Sequence, residues 1–175
     1  MKKLIIVFLL VSGSFSIGCD DGEPGDGYNG LYHITLNQSR DQCGEGEWFD
    51  ITPDYDYFFL EAANLFGTPI IGWSECTDDS KDTCDDYMNL ELSFVKEDGV
   101  WMQQTMWSSQ DINGCRLMIK EGLLANTDDG ISISTTTIEG IVTLEEGDDC
   151  HYELIDKYFD QMSCTEELYL EAEKL

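Results

Sequence analysis

The chain has 175 residues and carries 36 Asp and Glu against 9 Lys and Arg, a formal charge of −27. That length suits one domain with a full core, and so few cations exclude a nucleic-acid partner, whose phosphates need clustered Lys and Arg. The composition, 42% hydrophobic and 11% aromatic, also excludes a disordered acidic chain, which would lack both classes.

Lys2 and Lys3 precede an unbroken apolar run over 4–11 and a run of mostly small residues over 12–18. This order is a secretory signal. The apolar run is too short for a hydrocarbon core, which takes about 20 residues. Cleavage is open at Ser14-Phe15-Ser16 or just before Cys19. The residues Ser16-Ile17-Gly18-Cys19 resemble the lipobox of bacterial lipoproteins, with Ser16 where that family usually has Leu or another aliphatic residue. The resemblance implies cleavage after Gly18 and acyl chains on Cys19. The protein is then exported and lipid-anchored to a bacterial membrane, facing the periplasm or the exterior.

The cysteines agree with this. They are Cys19, Cys43, Cys76, Cys84, Cys115, Cys150 and Cys164, an odd number for an oxidising compartment. Acylation of Cys19 leaves six for three disulfides. None form Cys-x-x-Cys and no His stands at zinc spacing. Among the 15 connectivities that six cysteines allow, the reading favours Cys76 with Cys84, then Cys150 with Cys164, which leaves Cys43 with Cys115. Residues 1–18 are thus expected as signal peptide, 19–30 as the lipidated Cys and a flexible acidic tether rich in Gly, and 31–175 as a single β-barrel-like domain.

From Leu31 the period becomes two. Tyr32, Ile34 and Leu36 alternate with His33, Thr35 and Asn37, a strand with one buried face. Extended segments are expected over 48–52, 55–60 and 70–76, with 58–66 open between helix and strand. Met88, Leu90, Leu92 and Phe94 mark another strand, turning at Asp98-Gly99 into 100–110. Asp98-Gly99 and Asn113-Gly114 sit where a tight hairpin takes positive φ. The next strand, 115–126, has Gly122 as an expected bulge. Then comes 131–146, rich in Ile and Thr. Leu154, Ile155, Tyr158, Phe159 and Met162 recur at helical spacing, so one short helix is expected near 151–162, capped by Asp148 or Asp149, with Glu153 and Lys157 as an i,i+4 pair. The segment 165–175 is open between strand and helix.

Eight or nine strands joined by hairpins predict a mainly β fold, an antiparallel up-and-down meander or barrel. This pattern resembles the lipocalins. Gly30-Leu31-Tyr32 is similar to their Gly-x-Trp motif with Tyr for Trp, and Lys174 stands where that family has a basic residue covering the aromatic ring. The resemblance implies a barrel that binds a small apolar or amphipathic ligand.

The sequence carries no Gly-x-Ser-x-Gly, P-loop, dinucleotide fingerprint or His-Glu-x-x-His, and only His33 and His151 offer an imidazole. The chain is therefore read as not an enzyme and without a cofactor. Trp101, Met102, Met106 and Trp107, in a stretch with Gln103, Gln104 and Thr105, are the expected ligand lining. Asp78, Asp79, Asp82, Asp85 and Asp86 crowd one loop and are candidate calcium ligands, although the loop lacks an EF-hand pattern and Lys81 stands in it. The alternative is an envelope interaction protein presenting an acidic, calcium-binding surface to another envelope protein.

Overall fold

The computed structural model of the chain describes residues 25–41, 43–86 and 88–175. The signal, Cys19 and the start of the tether lie outside the described residues. Nine strands follow in order: β1 (Gly30–Asp41), β2 (Phe49–Asp50), β3 (Tyr57–Leu65), β4 (Thr68–Cys76), β5 (Asn89–Glu97), β6 (Val100–Asp111), β7 (Gly114–Asn126), β8 (Gly130–Val142) and β9 (Ser163–Lys174). From β3 to β9 each strand pairs antiparallel with the next, and β1 closes the ring by pairing with both β3 and β9. The result is an eight-stranded up-and-down barrel, with β2 added on the β1 edge. The segments 58–66 and 165–175 are both strand, because alternate residues such as Phe58 and Leu60 must be buried while Phe59 and Glu61 face out.

The local turn chemistry agrees in part. Asp98 and Gly99 take φ of 48° and 86°, and Phe66 and Gly67 take 52° and 92°, the positive pair that matches strand twist. The turn expected at Asn113-Gly114 is displaced by one residue. Asp111 pairs with Gly114, so Ile112 and Asn113 form the loop, and Asp111 Oδ1 accepts the Asn113 N–H at 3.0 Å. Gly122 is not a bulge either, since β6 and β7 stay in register along their whole pairing. The irregularities fall at Ile34/Leu36, Ile71/Trp73 and Thr137/Ile138.

One end of the barrel is closed. It holds the turns at Phe66-Gly67, Asp98-Gly99 and 127–129, together with Gly25 and Leu175. A single 3-10 turn, Asp26–Tyr28, crosses it. The Tyr28 N–H donates to the Gly25 carbonyl at 2.9 Å, and the Tyr32 hydroxyl donates to the Tyr28 carbonyl at 2.9 Å. Lys174 Nζ donates to the Gly27 carbonyl at 3.1 Å and lies 5.9 Å from the Tyr32 ring centroid, the basic cover expected over that ring. Residues 25–30, expected as part of the tether, are instead held at the barrel floor, where Tyr28 is buried.

Aromatic rings fill this closed half. Tyr32 stacks on Phe58 at 5.4 Å, Phe58 on Trp73 at 3.8 Å, and Tyr55 meets Trp73 edge-on at 6.0 Å. Leu60, Ile71, Phe94, Trp101, Leu124 and Ile131 complete the cluster. Burial of each large side chain contributes about 1.5–3 kcal/mol, so this column dominates the fold's stability.

A second core lies on the outer wall. A short strap, with 3-10 turns at Tyr152–Leu154 and Phe159–Gln161 around α1 (Ile155–Tyr158), lays Ile155 and Tyr158 on Cys115, Leu117, Ile119 and Val142. The short helix expected near 151–162 is there, built as one four-residue α turn between two tighter turns. His151 caps it, its Nδ1 accepting the Glu153 N–H at 3.4 Å, in place of Asp148 or Asp149. Asp148 is engaged elsewhere: its Oδ2 accepts from the Tyr158 hydroxyl and from Lys157 Nζ, both at 2.6 Å. Those bonds, Lys157 first, hold its carboxyl below the usual range. Lys157 pairs with Asp148 and with Glu145 at 2.8 Å, not with Glu153.

Three disulfides are present: Cys43–Cys164, Cys76–Cys84 and Cys115–Cys150. The first expected pair is there, and the other two are exchanged. Closure of β1 on β9 sets Cys43 beside Cys164, whereas the strap delivers Cys150 to the start of β7. All three bridges lie at the open end.

Candidate functional site

Registers across β6, β7, β8, β9 and β1 arrange the inward side chains in tiers. Nearest the floor, Trp101, Leu124, Ile133 and Leu170 stand opposite one another. The middle tier is Gln103, Gly122, Thr135, Leu168 and Ser39, and the rim tier is Thr105, Lys120, Thr137, Glu166 and Asp41. Because side chains alternate along a strand, these residues share the barrel interior. The interior thus passes from aromatic to polar over two residue steps.

Within the middle tier Gln103, Thr135 and Ser39 are buried. A side chain on Gly122 would meet the Gln103 amide oxygen at 3.0 Å and the Thr135 hydroxyl at 3.6 Å, so the bare glycine leaves the space over which Gln103 lies. Leu168 of the same tier and, above it, Thr105, Lys120 and Glu166 are only half-buried, and Ser39 Oγ donates to Glu166 Oε1 at 3.1 Å. The wall opens further on one side. β6 pairs with β7 from Trp101 to Asp111, but β5 pairs only with Val100, Trp101 and Met102. The mouth is therefore a shallow polar cup over an aromatic plug.

Across from the polar wall stand Trp73 and Tyr55. Trp73 Nε1 is buried and meets no partner at full hydrogen-bond geometry among the described residues, the Tyr55 phenol being the polar group on which it acts. Burial pushes the Tyr55 phenol up to about 12. The charge of Glu75 adds to this, the neighbouring Trp73 N–H opposes it, and Asp54 adds a smaller push.

The residues expected to line the ligand do not stay together. Trp101 faces inward as part of the floor and is 5% exposed, while Trp107, on the same strand face near the rim, is 45% exposed. Met102 and Met106 point outward by alternation; Met106 packs under the strap with the second core. The two methionines are thus corrected from lining to outer wall. The polar tiers, with Lys120, Glu166 and Gly122, were missed. Their signal was present in β8, where the inward face changes from Ile131 and Ile133 to Thr135 and Thr137.

The acidic loop is organised by its own hydrogen bonds. Asp78 Oδ1 accepts from the Ser80 N–H at 2.9 Å and from the Thr83 hydroxyl at 2.8 Å, and Ser80 caps the 3-10 turn Lys81–Thr83. Asp79, Asp82, Asp85 and Asp86 are exposed. Among the described residues no three His, Cys, Asp or Glu side chains converge as a metal site, so the calcium assignment to these five carboxylates is not carried forward. His33 stacks on Tyr57 at 4.9 Å, and His151 is the exposed strap cap. Neither imidazole lies among the cup tiers. No helix among the described residues is long and apolar enough to cross a membrane.

No protein-family model, no characterised protein and no solved structure matches the chain.

Proposed function

We propose that the chain is a lipid-anchored protein of the bacterial envelope, not an enzyme, that binds a small amphipathic molecule in the open half of its barrel. The observation that carries this reading is the split interior: a plug of aromatic rings below, and above it a half-buried cup where Gly122 withholds a side chain. Such a cup suits a ligand whose apolar part rests on Trp73, Tyr55 and Leu168 and whose polar part meets Gln103, Thr105 and Thr137. Lys120 and Glu166 offer one charge of each sign, and the overall charge of −27 disfavours a purely anionic guest. The lipid anchor rests on the Ser16-Ile17-Gly18-Cys19 signal and on the pairing of every other cysteine. The non-enzymatic reading rests on the placement of both imidazoles outside the cup.

The test is fluorescence titration with the neutral probe N-phenylnaphthylamine. The wild-type chain is expected to enhance its emission saturably. Gly122→Val, whose Cβ would meet Gln103 Oε1 at 3.0 Å and so drive that side chain into the cup, is expected to abolish the enhancement at a small cost in melting temperature that leaves the chain folded. Equal enhancement by both proteins would remove the cup from the account.

A further inference from the structure

The outer wall near the closed end carries a second, unrelated feature. Ala63, Ile70, Val95, Met102 and Leu123 stand in one cross-strand row over β3 to β7. All five face outward, since their neighbours Trp101 and Leu124 face in. Val95 is 36% exposed and Leu123 44%, Ala63 and Met102 are half-buried, and Ile70 between them is buried. Below the row, toward the closed end, come exposed Leu65, Phe66 and Val100. Above it come Glu61 and Glu121. The exposed members Val95 and Leu123, with Leu65, Phe66 and Val100 below them, thus form an apolar band with a charged upper border.

Phe66 is the extreme case. It is wholly exposed and has a positive φ of 52°, in a turn that usually takes Asn, Asp or Gly. Both the backbone and water disfavour Phe there. Around it, residues 62–74 contain no charge, in a chain where 26% of residues are charged. The acids of this end sit on the other turns, at Glu97, Asp98, Asp128 and Asp129.

Chain connectivity says what faces this surface. Gly25 lies at the closed end, against Trp101, Ala62 and Ile71, and Cys19 stands six positions before it. Even fully extended, the linking residues reach only about 20 Å. An acyl anchor on Cys19 therefore holds the closed end, and not the disulfide-stapled mouth, against the bilayer.

We propose that this band and the Phe66-Gly67 turn seat in the interfacial layer of a zwitterionic bilayer, which fixes the barrel with its cup facing away from the membrane. The inference rests on the acyl anchor proposed above. A zwitterionic surface is specified because the neighbouring acidic turns would be repelled by anionic head groups. Apolar side chains at the head-group boundary are stabilised by the area they bury, and Phe66 would enter first.

The test uses the acylated full chain on phosphatidylcholine vesicles, with and without brominated acyl chains, in two variants. Phe66→Trp reports on the closed end. Ile112→Trp replaces a side chain that is 99% exposed at the open end, and serves as the matched control. The extra emission of Phe66→Trp over wild type is expected to shift to the blue and to lose most of its intensity to bromine, while that of Ile112→Trp stays unshifted and unquenched. Flotation with vesicles but no quenching of Phe66→Trp, or quenching of Ile112→Trp instead, overturns the orientation alone. A blue shift without bromine quenching that grows with protein concentration overturns it in favour of a second copy covering the band. Failure of the chain to float at all overturns the acyl anchor, and this proposal with it.

Discussion

Tyr32 and Tyr55 carry the clearest residue-level signature of the aromatic column. Burial pushes both phenols up to about 12, helped by Tyr28 in the first case and by Glu75 in the second. An unfolded phenol titrates at 10.0, so the unfolded chain releases these protons first. The stabilisation is complete below that pH and is lost as pH climbs toward about 12. Thermal melting followed from neutral to strongly alkaline pH should show a falling midpoint across that window; a flat midpoint would mean the rings are not buried as described. Phe58, with both faces of its ring covered, is the residue whose truncation should be felt most: Phe58→Ala is expected to cost about 3–5 kcal/mol in denaturant unfolding. The burial of Tyr32 and Phe94 was legible from period two in the sequence. The inward turn of Gln103 was legible too, since Trp101 fixes the face. That Gly122 opens space and does not bend the strand was not legible, because a lone glycine in a strand signals either.

At the scale of elements, the strands were readable because hairpin meanders repeat one local pattern, and eight of them have an obvious way to close. The short helix of the strap was legible from its spacing, but its division into turns was not. Helical spacing reports which residues are buried, but here Cys150 is tied to Cys115 and the chain must enter β9 at Ser163, leaving room for one α turn between two tighter ones. Cys76–Cys84 was read correctly, whereas the other two pairs were exchanged because their pairing follows three-dimensional closure, not proximity in the chain. Closure gives sequence separations of 121, 35 and 8 for Cys43–Cys164, Cys115–Cys150 and Cys76–Cys84. If loop entropy governs their effect, replacing each pair by Ser should destabilise in that order, by about 5, 4 and 2.5 kcal/mol. Chemical denaturation of the three double variants would check this, and a reversed order would show that strain or residual structure in the unfolded chain outweighs loop length.

For the whole molecule, the two ends of the barrel have different tasks. The closed end gathers the start and the finish of the described chain, a 3-10 turn under the floor and the apolar outer band; the open end gathers three disulfides and a polar cup. This division follows from an even number of barrel strands: β1 starts and β9 ends at the same rim, so the start of the described chain and the cup lie at opposite poles. The cup rests on the packed aromatic plug and is stapled at its edge by the disulfides, which favours binding by a preformed site. The account's central claim, that the open half holds a ligand, is tested most directly by native mass spectrometry of the acylated protein extracted from its own membrane. A discrete adduct of one small molecule per chain is predicted, absent from Gly122→Val prepared in the same way. Wild-type protein at the mass of the acylated chain alone, with nothing further bound, would contradict it.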